Sequence, residues 1–346
     1  MNKTNNSNVL EVKDLNVEFS TYGGTVKAVR GVSYQVRKGK TLGVVGESGC
    51  GKSVTVQAIL QLIPMPPGRI TSGSAKLNGK EMIGLSPKDI NTIRGREIGV
   101  IFQDPMSSLN PTMKIGKQIA ETVKVHQHAS NDEAMQKAIT LLEKTKIPEA
   151  AKRAQQYPFE FSGGMLQRAS IAMSLACDPT LLVADEPTTA LDVTIQSQTL
   201  EIMHALQQNM GMSIILITHD LGVIAKMAHD VAVMYAGQVI EAGPVDDIFY
   251  RSSHPYTLGL RHAMPTNIEG ADRKLMPIDG SPPDLFKPPA GCGYYARCPY
   301  AMRVCEKHNP EEFTISGKHF ARCWLQHPSA PKVEGELFQI GHTENA

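Results

Sequence analysis

The chain reads as an α/β protein built on a parallel sheet, and three observations predict this. An apolar run, Thr41 to Val45, meets the glycine-rich Gly46-Glu47-Ser48-Gly49-Cys50-Gly51-Lys52-Ser53, and a helical pattern follows from Val54 to Leu62. Strand, glycine loop and helix in that order form the context of a phosphate-binding loop. Two further apolar runs, Leu181 to Ala184 and Ser213 to Thr218, lack the alternation of a half-exposed strand and flank a helical pattern from Val193 to Asn209. Strands buried on both faces and joined by a helix are the units of a parallel sheet. Between these parts, residues 113–160 turn to helical spacing with many Lys, Glu, Gln and Ala, as an inserted helical subdomain would.

The remaining elements follow in order. Val9 to Val12 and Leu15 to Phe19 alternate as β-strands, and Ile98 to Phe102 is a strand with Gln103 at its end. The helical insertion closes at Phe161-Ser162-Gly163-Gly164-Met165, a turn that opens a helix to Ala176. Val231 to Tyr235 and Gln238 to Glu241 flank Gly237 and complete the domain. From Pro244 the chain enters an appendage with Pro-rich stretches at Ser281-Pro282-Pro283 and Pro288-Pro289, then a cysteine cluster and a polar tail. There is no internal repeat, so one nucleotide domain is expected.

Composition narrows the function classes. With 35 basic and 34 acidic residues the net charge is +1, which argues against a nucleic-acid partner held by bulk charge. No uninterrupted apolar stretch is long enough to span a bilayer, and the polar start lacks the apolar core of a secretory signal. A cytosolic chain is expected, with any membrane association coming through partners.

The motifs specify phosphate chemistry. Glycines let successive backbone N–H groups turn inward around the β- and γ-phosphates, with a helix N-terminus behind them. Lys52 is expected to bridge those phosphates and the Ser53 hydroxyl to ligate Mg²⁺. Cys50 occupies a variable loop position and takes no redox role. Asp185 and Glu186 end an apolar strand, placing Asp185 to hold Mg²⁺ through water and Glu186 to polarise the attacking water. His219, after Ile214-Ile215-Leu216-Ile217, is expected to contact the γ-phosphate. Ser162, Gly163 and Gly164 offer a second anion-binding helix end. One chain cannot easily aim both ends at one γ-phosphate, so a head-to-tail pair of ATPase subunits is expected.

These segments, in this order, resemble the ATP-binding-cassette (ABC) superfamily over roughly residues 9–260. The resemblance implies a P-loop domain with a RecA-like core, an antiparallel β subdomain and a helical subdomain, spanning 1–260 with the helical part at about 105–180. It implies ATP and Mg²⁺ as ligands. Glu47, Ser48, Gly49, Cys50, Gly51 and Val54 join the nucleotide cradle, and Gln103 becomes a glutamine that senses Mg²⁺ and the γ-phosphate. Thr189-Ala190-Leu191-Asp192 becomes the loop crossing the dimer interface. Tyr22, before Gly23-Gly24, resembles the aromatic that stacks on adenine, an exposed strand-end tyrosine being the other reading. The signature departs from Leu-Ser-Gly-Gly-Gln at Phe161 and at Met165, which removes a polar side chain near the partner's nucleotide.

Within that superfamily, His254-Pro255-Tyr256-Thr257, Gly280-Ser281-Pro282-Pro283 and Gly291-Cys292 through Arg297-Cys298-Pro299 resemble the D-type ATPase subunits of bacterial oligopeptide and dipeptide permeases. Residues 261–346 are then their Cys-rich extension. This implies a motor for peptide import at the cytoplasmic face, two transmembrane permease subunits, a second and non-identical ATPase, and an extracytoplasmic substrate-binding protein. A nickel or other small-solute importer of the same branch is the alternative. A soluble ATPase of DNA repair or translation fits less well, since those carry two cassettes or longer insertions. A scaffold with a dead site is disfavoured because every catalytic position holds a competent residue.

Cys292, Cys298, Cys305 and Cys323 are spaced Cys-x5-Cys, Cys-x6-Cys and Cys-x17-Cys. Structural zinc sites usually begin with closer pairs, whereas four wider-spaced thiolates suit an iron–sulfur cluster. The resemblance implies [4Fe-4S] there. Zinc, with His308, His319 and His327 nearby, and unligated thiols stay open.

Overall fold

A computed structural model describes residues 7–189, 192–264 and 277–333. The strands begin with β1 (Asn8–Thr21), β2 (Gly24–Arg37), β3 (Thr41–Val45), β4 (Gly68–Leu77), β5 (Lys80–Glu81) and β6 (Ile98–Ile101). They continue with β7 (Leu181–Asp185), β8 (Ser213–Ile217), β9 (Asp230–Tyr235), β10 (Gln238–Pro244), β11 (Phe313–Ser316) and β12 (His319–Ala321). The helices begin with α1 (Lys52–Ile59), α2 (Pro87–Ile93), α3 (Pro105–Ser108), α4 (Ile115–Gln127), α5 (Asn131–Lys144) and α6 (Ala150–Arg153). After them come α7 (Gly163–Ser174), α8 (Val193–Met210), α9 (Leu221–Met227), α10 (Val245–Tyr250), α11 (Pro255–His262) and α12 (Arg303–Lys307).

The chain divides into two compact units. One holds Gln35–Thr41 and Lys76–Ile217 together with the start of the chain. In it β7 pairs in parallel with β6 on one side and β8 on the other, Ala184 standing opposite Ile101 and Leu216. Every residue of β7 and β8 is buried, which is why neither sequence alternates. Helix α7 packs on β6, and α4 and α5 pack on each other and on α7 by their apolar stripes. In α4 the stripe is Ile115, Ile119 and Val123, one turn apart, and in α5 it includes Ala134, Ala138, Leu141 and Leu142. Helix α5 starts at a capping box, Ser130 with Glu133, and α4 stops at His128 in the left-handed region.

The other unit holds Val12–Tyr34, Leu42–Ala75 and Thr218 to the end of the chain. Here β3 runs parallel to β9, β9 pairs antiparallel with β10, and β10 with β12, which closes a hairpin with β11. The strand feeding the phosphate loop thus lies in the same unit as the C-terminal region. A separate four-stranded sheet has the order β2-β1-β4-β5.

Several boundaries differ from the sequence reading. The two short strands expected over 9–19 are one strand, β1, in which Asp14 takes a positive φ of 47°. That kink interrupts the alternation. Helix α1 begins earlier, at Lys52, and ends at Ile59. The β11–β12 hairpin was not expected from the sequence, because its strands are short and are completed by pairing with β10.

Candidate nucleotide site

The phosphate loop is held where β3 ends. Gly46 sits at φ 152°, and a Cβ there would lie 2.1 Å from the Met234 carbonyl of β9. Gly51 sits at φ 97°, where a Cβ would lie 2.5 Å from the Ala28 carbonyl. Both positions therefore require glycine for backbone conformation and for close approach. The loop delivers Gly51 as the cap of α1, so Lys52, Ser53 and Val54 form its first turn, with amides at the positive end of a helix. The buried Lys52 ammonium donates to the carbonyls of Gly46 (2.7 Å) and Glu47 (3.0 Å). Ser48 and Gly49 are exposed at the loop tip, while Cys50 is buried, and that burial pushes its thiol up. A buried, protonated thiol is a poor redox centre.

His219 lies at the same sheet edge. The preceding residue, Thr218, donates its N–H to the Val44 carbonyl (3.2 Å), two residues before the phosphate loop begins. The following residue, Asp220, caps α9 by accepting from the Gly222 and Val223 amides.

The acidic strand end lies in the other unit. Asp185 closes β7 and is buried, and Glu186 adopts a left-handed φ of 47° while its N–H donates to the Ile217 carbonyl (2.8 Å). A non-glycine residue held there stores strain, a recurrent property of functional positions. Glu186 Oε2 accepts from the Gln103 amide (3.1 Å) and from the Thr189 hydroxyl (3.0 Å). The structure therefore brings together two residues 83 positions apart that the sequence singled out separately.

In the same unit, Ser162 caps α7 by accepting from the Met165 N–H (3.4 Å), with Gly163 and Gly164 opening the helix. A Cβ on Gly164 would lie 2.9 Å from Ile195 of α8, while one on Gly163 would meet nothing within 4 Å. Gly164 therefore serves packing and Gly163 leaves the helix end open. Asp192 caps α8 by accepting from Ile195 N–H (3.0 Å). Ala190 and Leu191, expected in the interface loop, lie outside the described residues.

Further contacts of the phosphate loop and of the Tyr22 turn are set by the fold alone. Tyr22 is fully exposed on the β1–β2 turn, and the Phe286 ring packs against that turn, 3.7 Å from a Cβ built on Gly23 or Gly24. Tyr256 and Arg297 both bond Glu47 of the phosphate loop. Only the tertiary fold reveals these contacts: Phe286 carries no pattern in the sequence, and Tyr256 and Arg297 stand there only within motifs that say nothing of Glu47.

The four C-terminal cysteines, Cys292, Cys298, Cys305 and Cys323, line one pocket with His254 and Trp324. None of them forms a disulfide. Burial pushes Cys292 up to about 11, Cys298 up to about 12, and Cys323 higher still. Among the described residues, no three Cys, His, Asp or Glu side chains stand together as ligands for a metal ion. His319, which the sequence left open as a zinc ligand, is instead fully buried against Glu241, its Nε2 lying 2.8 Å from Oε1. His254 Nδ1 accepts from the Tyr256 N–H (3.0 Å), and burial lowers this imidazole to about 3. The neutral ring therefore carries its proton on Nε2, which has no partner among the described residues.

Comparison with known proteins now decides the family. An ABC transporter model matches residues 29–189, and the C-terminal region of oligopeptide/dipeptide transporters matches 240–305. The chain is 55% identical over 326 residues to the oligopeptide transport ATP-binding protein OppD of Bacillus subtilis, covering 94% of this chain and 91% of that one. It is an ABC transporter ATP-binding subunit of the OppD/DppD type. This ABC subunit is also 51% identical over 319 residues to the dipeptide transport ATP-binding protein DppD of the same organism, covering 92% and 95% of the two chains. Among solved structures it resembles cbiO1 of Clostridium perfringens, part of an ABC transporter complex, with TM-score 0.61 and 26% identity over 74% of this chain and 96% of the other. A dimeric bacterial ABC transporter cassette shares the fold at TM-score 0.61 and 24% identity, covering 68% and 98%. Among the described residues of the ABC subunit, no helix is long and apolar enough to cross a membrane.

Proposed function

We propose that this ABC subunit is the ATP-hydrolysing motor of a peptide importer, acting at the cytoplasmic face of a membrane. Its partners are two transmembrane permease subunits, a second and non-identical ATP-binding subunit, and an extracytoplasmic peptide-binding protein. The observation that carries this reading is identity to peptide-transport ATP-binding proteins through nearly the whole chain.

In this reading the phosphate loop amides and Lys52 hold the β- and γ-phosphates, and Tyr22 stacks on adenine. Ser53, Gln103 and Asp185 hold Mg²⁺, an oxygen donor set that suits a hard cation, and the ion neutralises phosphate charge when bound. Glu186 takes the proton of the attacking water, oriented by the Gln103 amide and Thr189 hydroxyl on its carboxylate. His219 orients the γ-phosphate. Ser162, Gly163 and Gly164 meet the nucleotide of the partner subunit, beside Asp192.

The C-terminal region is proposed to be an appendage whose four thiols hold a [4Fe-4S] cluster. They converge on one pocket although no three ligands gather as a single ion needs. A cubane takes one thiolate at each of four separate irons and so suits wider spacing than zinc. The unpartnered His254 N–H, in the same pocket, is a donor suited to an anionic sulfur.

The test is uptake of labelled dipeptides, longer peptides and nickel in cells whose only copy carries Glu186→Gln. Loss of peptide uptake alone is expected, whereas loss of nickel uptake alone would assign the subunit to metal import. In the purified variant ATP binding should persist while hydrolysis falls by about a hundredfold or more.

A further inference from the structure

Glu47 places a carboxylate inside a loop that binds polyphosphate, and its partner comes from 250 residues away. Arg297 Nη1 donates to Glu47 Oε2 at 2.7 Å, and Nη2 donates to Oε1 at 2.9 Å. This is a fork-to-fork pair, the strongest geometry available to an arginine. The guanidinium is itself held from several sides. Its Nε donates to the Asp279 carbonyl (2.8 Å), Nη2 to the Ile278 carbonyl (3.1 Å) and Nη1 to the Tyr235 hydroxyl (3.1 Å). It also lies 5.8 Å and 5.9 Å from the ring centres of Tyr235 and Tyr294. The side chain is 5% exposed.

Glu47 is fixed at its backbone as well. Its N–H donates to the Tyr256 hydroxyl (2.8 Å), and its carbonyl accepts from the Lys52 ammonium (3.0 Å). The Tyr256 ring packs 4.6 Å from Tyr235, which also bonds Arg297. A rigid aromatic and guanidinium bracket thus grips one residue of the loop by carboxylate and amide. The Glu47 carboxylate in turn raises the Arg297 pKa, so the cation is permanent.

We propose that Arg297 is a positioning residue of the ATP site, neutralising and anchoring Glu47 so that the loop amides and Lys52 stay set for polyphosphate. The C-terminal region is then a working part of the phosphate site, whatever its four-thiol pocket binds. Without Arg297 a bare carboxylate would stand beside the phosphates, and its repulsion would grow with their number.

The test is titration of the full-length chain with fluorescent methylanthraniloyl derivatives of ATP and AMP. Arg297→Met should weaken ATP binding by about tenfold or more and AMP binding far less. Adding Glu47→Gln to that variant should return ATP affinity to within about threefold of Glu47→Gln alone. Equal losses for ATP and AMP, or a double variant as weak as Arg297→Met, would overturn the proposal in favour of a merely structural arginine. Should Arg297→Met fail to fold, Arg297→Lys keeps the charge without the fork, and ATP affinity there should fall about threefold. Unchanged ATP affinity in Arg297→Lys would also overturn it.

Discussion

Gly46 shows how narrowly a single residue defines the site. Its φ of 152° and the 2.1 Å separation between a built Cβ and the Met234 carbonyl leave no room for alanine. Gly46→Ala should push the loop off β9 and weaken ATP-analogue binding by about tenfold or more, read by titration. Gly163, with open space around its built Cβ, should tolerate the same change structurally. Glu186 belongs at this scale too: its strained backbone and two donors on one carboxylate oxygen are residue-level facts that spacing alone could not supply. The motif named Glu186 and Gln103 as separate candidates, and the 3.1 Å bond between them came only from folding.

At the scale of elements, β10 is the organiser of its unit, and one side chain explains how. Glu241 is fully buried and accepts from the Ser253 amide (2.6 Å), the His254 amide (3.1 Å) and, at 2.8 Å, faces His319 Nε2 of β12. It therefore ties β10 to the start of α11 and to the C-terminal hairpin. Glu241→Ala would leave these donors buried without partners, and stability should fall by about 3 kcal/mol or more, measured by urea unfolding. The sequence offered Gln238 to Glu241 as the last strand of the domain. That strand exists, but its outer edge is covered by β12, so it is not an edge among the described strands.

At the scale of the whole molecule, each unit is assembled from distant stretches of chain, which no reading of local pattern anticipates. The phosphate loop, the aromatic cluster of Tyr235, Tyr256 and Tyr294, and the four-thiol pocket fall within one unit. Cys298→Ser should lower bound iron and bleach visible absorbance in protein purified without oxygen, as measured by iron assay and spectroscopy. A colourless, iron-free unaltered protein would instead remove the cluster from the proposed function.

The sequence by itself determined the class of fold, the identity of the phosphate loop, and the position of nearly every strand in the parallel core. It could do so because those features are local: glycines demanded by backbone geometry, and unbroken apolar runs demanded by burial on two faces. Only the tertiary structure decided that Arg297 grips Glu47, that His254 and Trp324 line the pocket of the four cysteines, and that a C-terminal hairpin extends the sheet beside β10. Such pairings depend on which distant surfaces fit together, a property of packing that leaves no period in the chain.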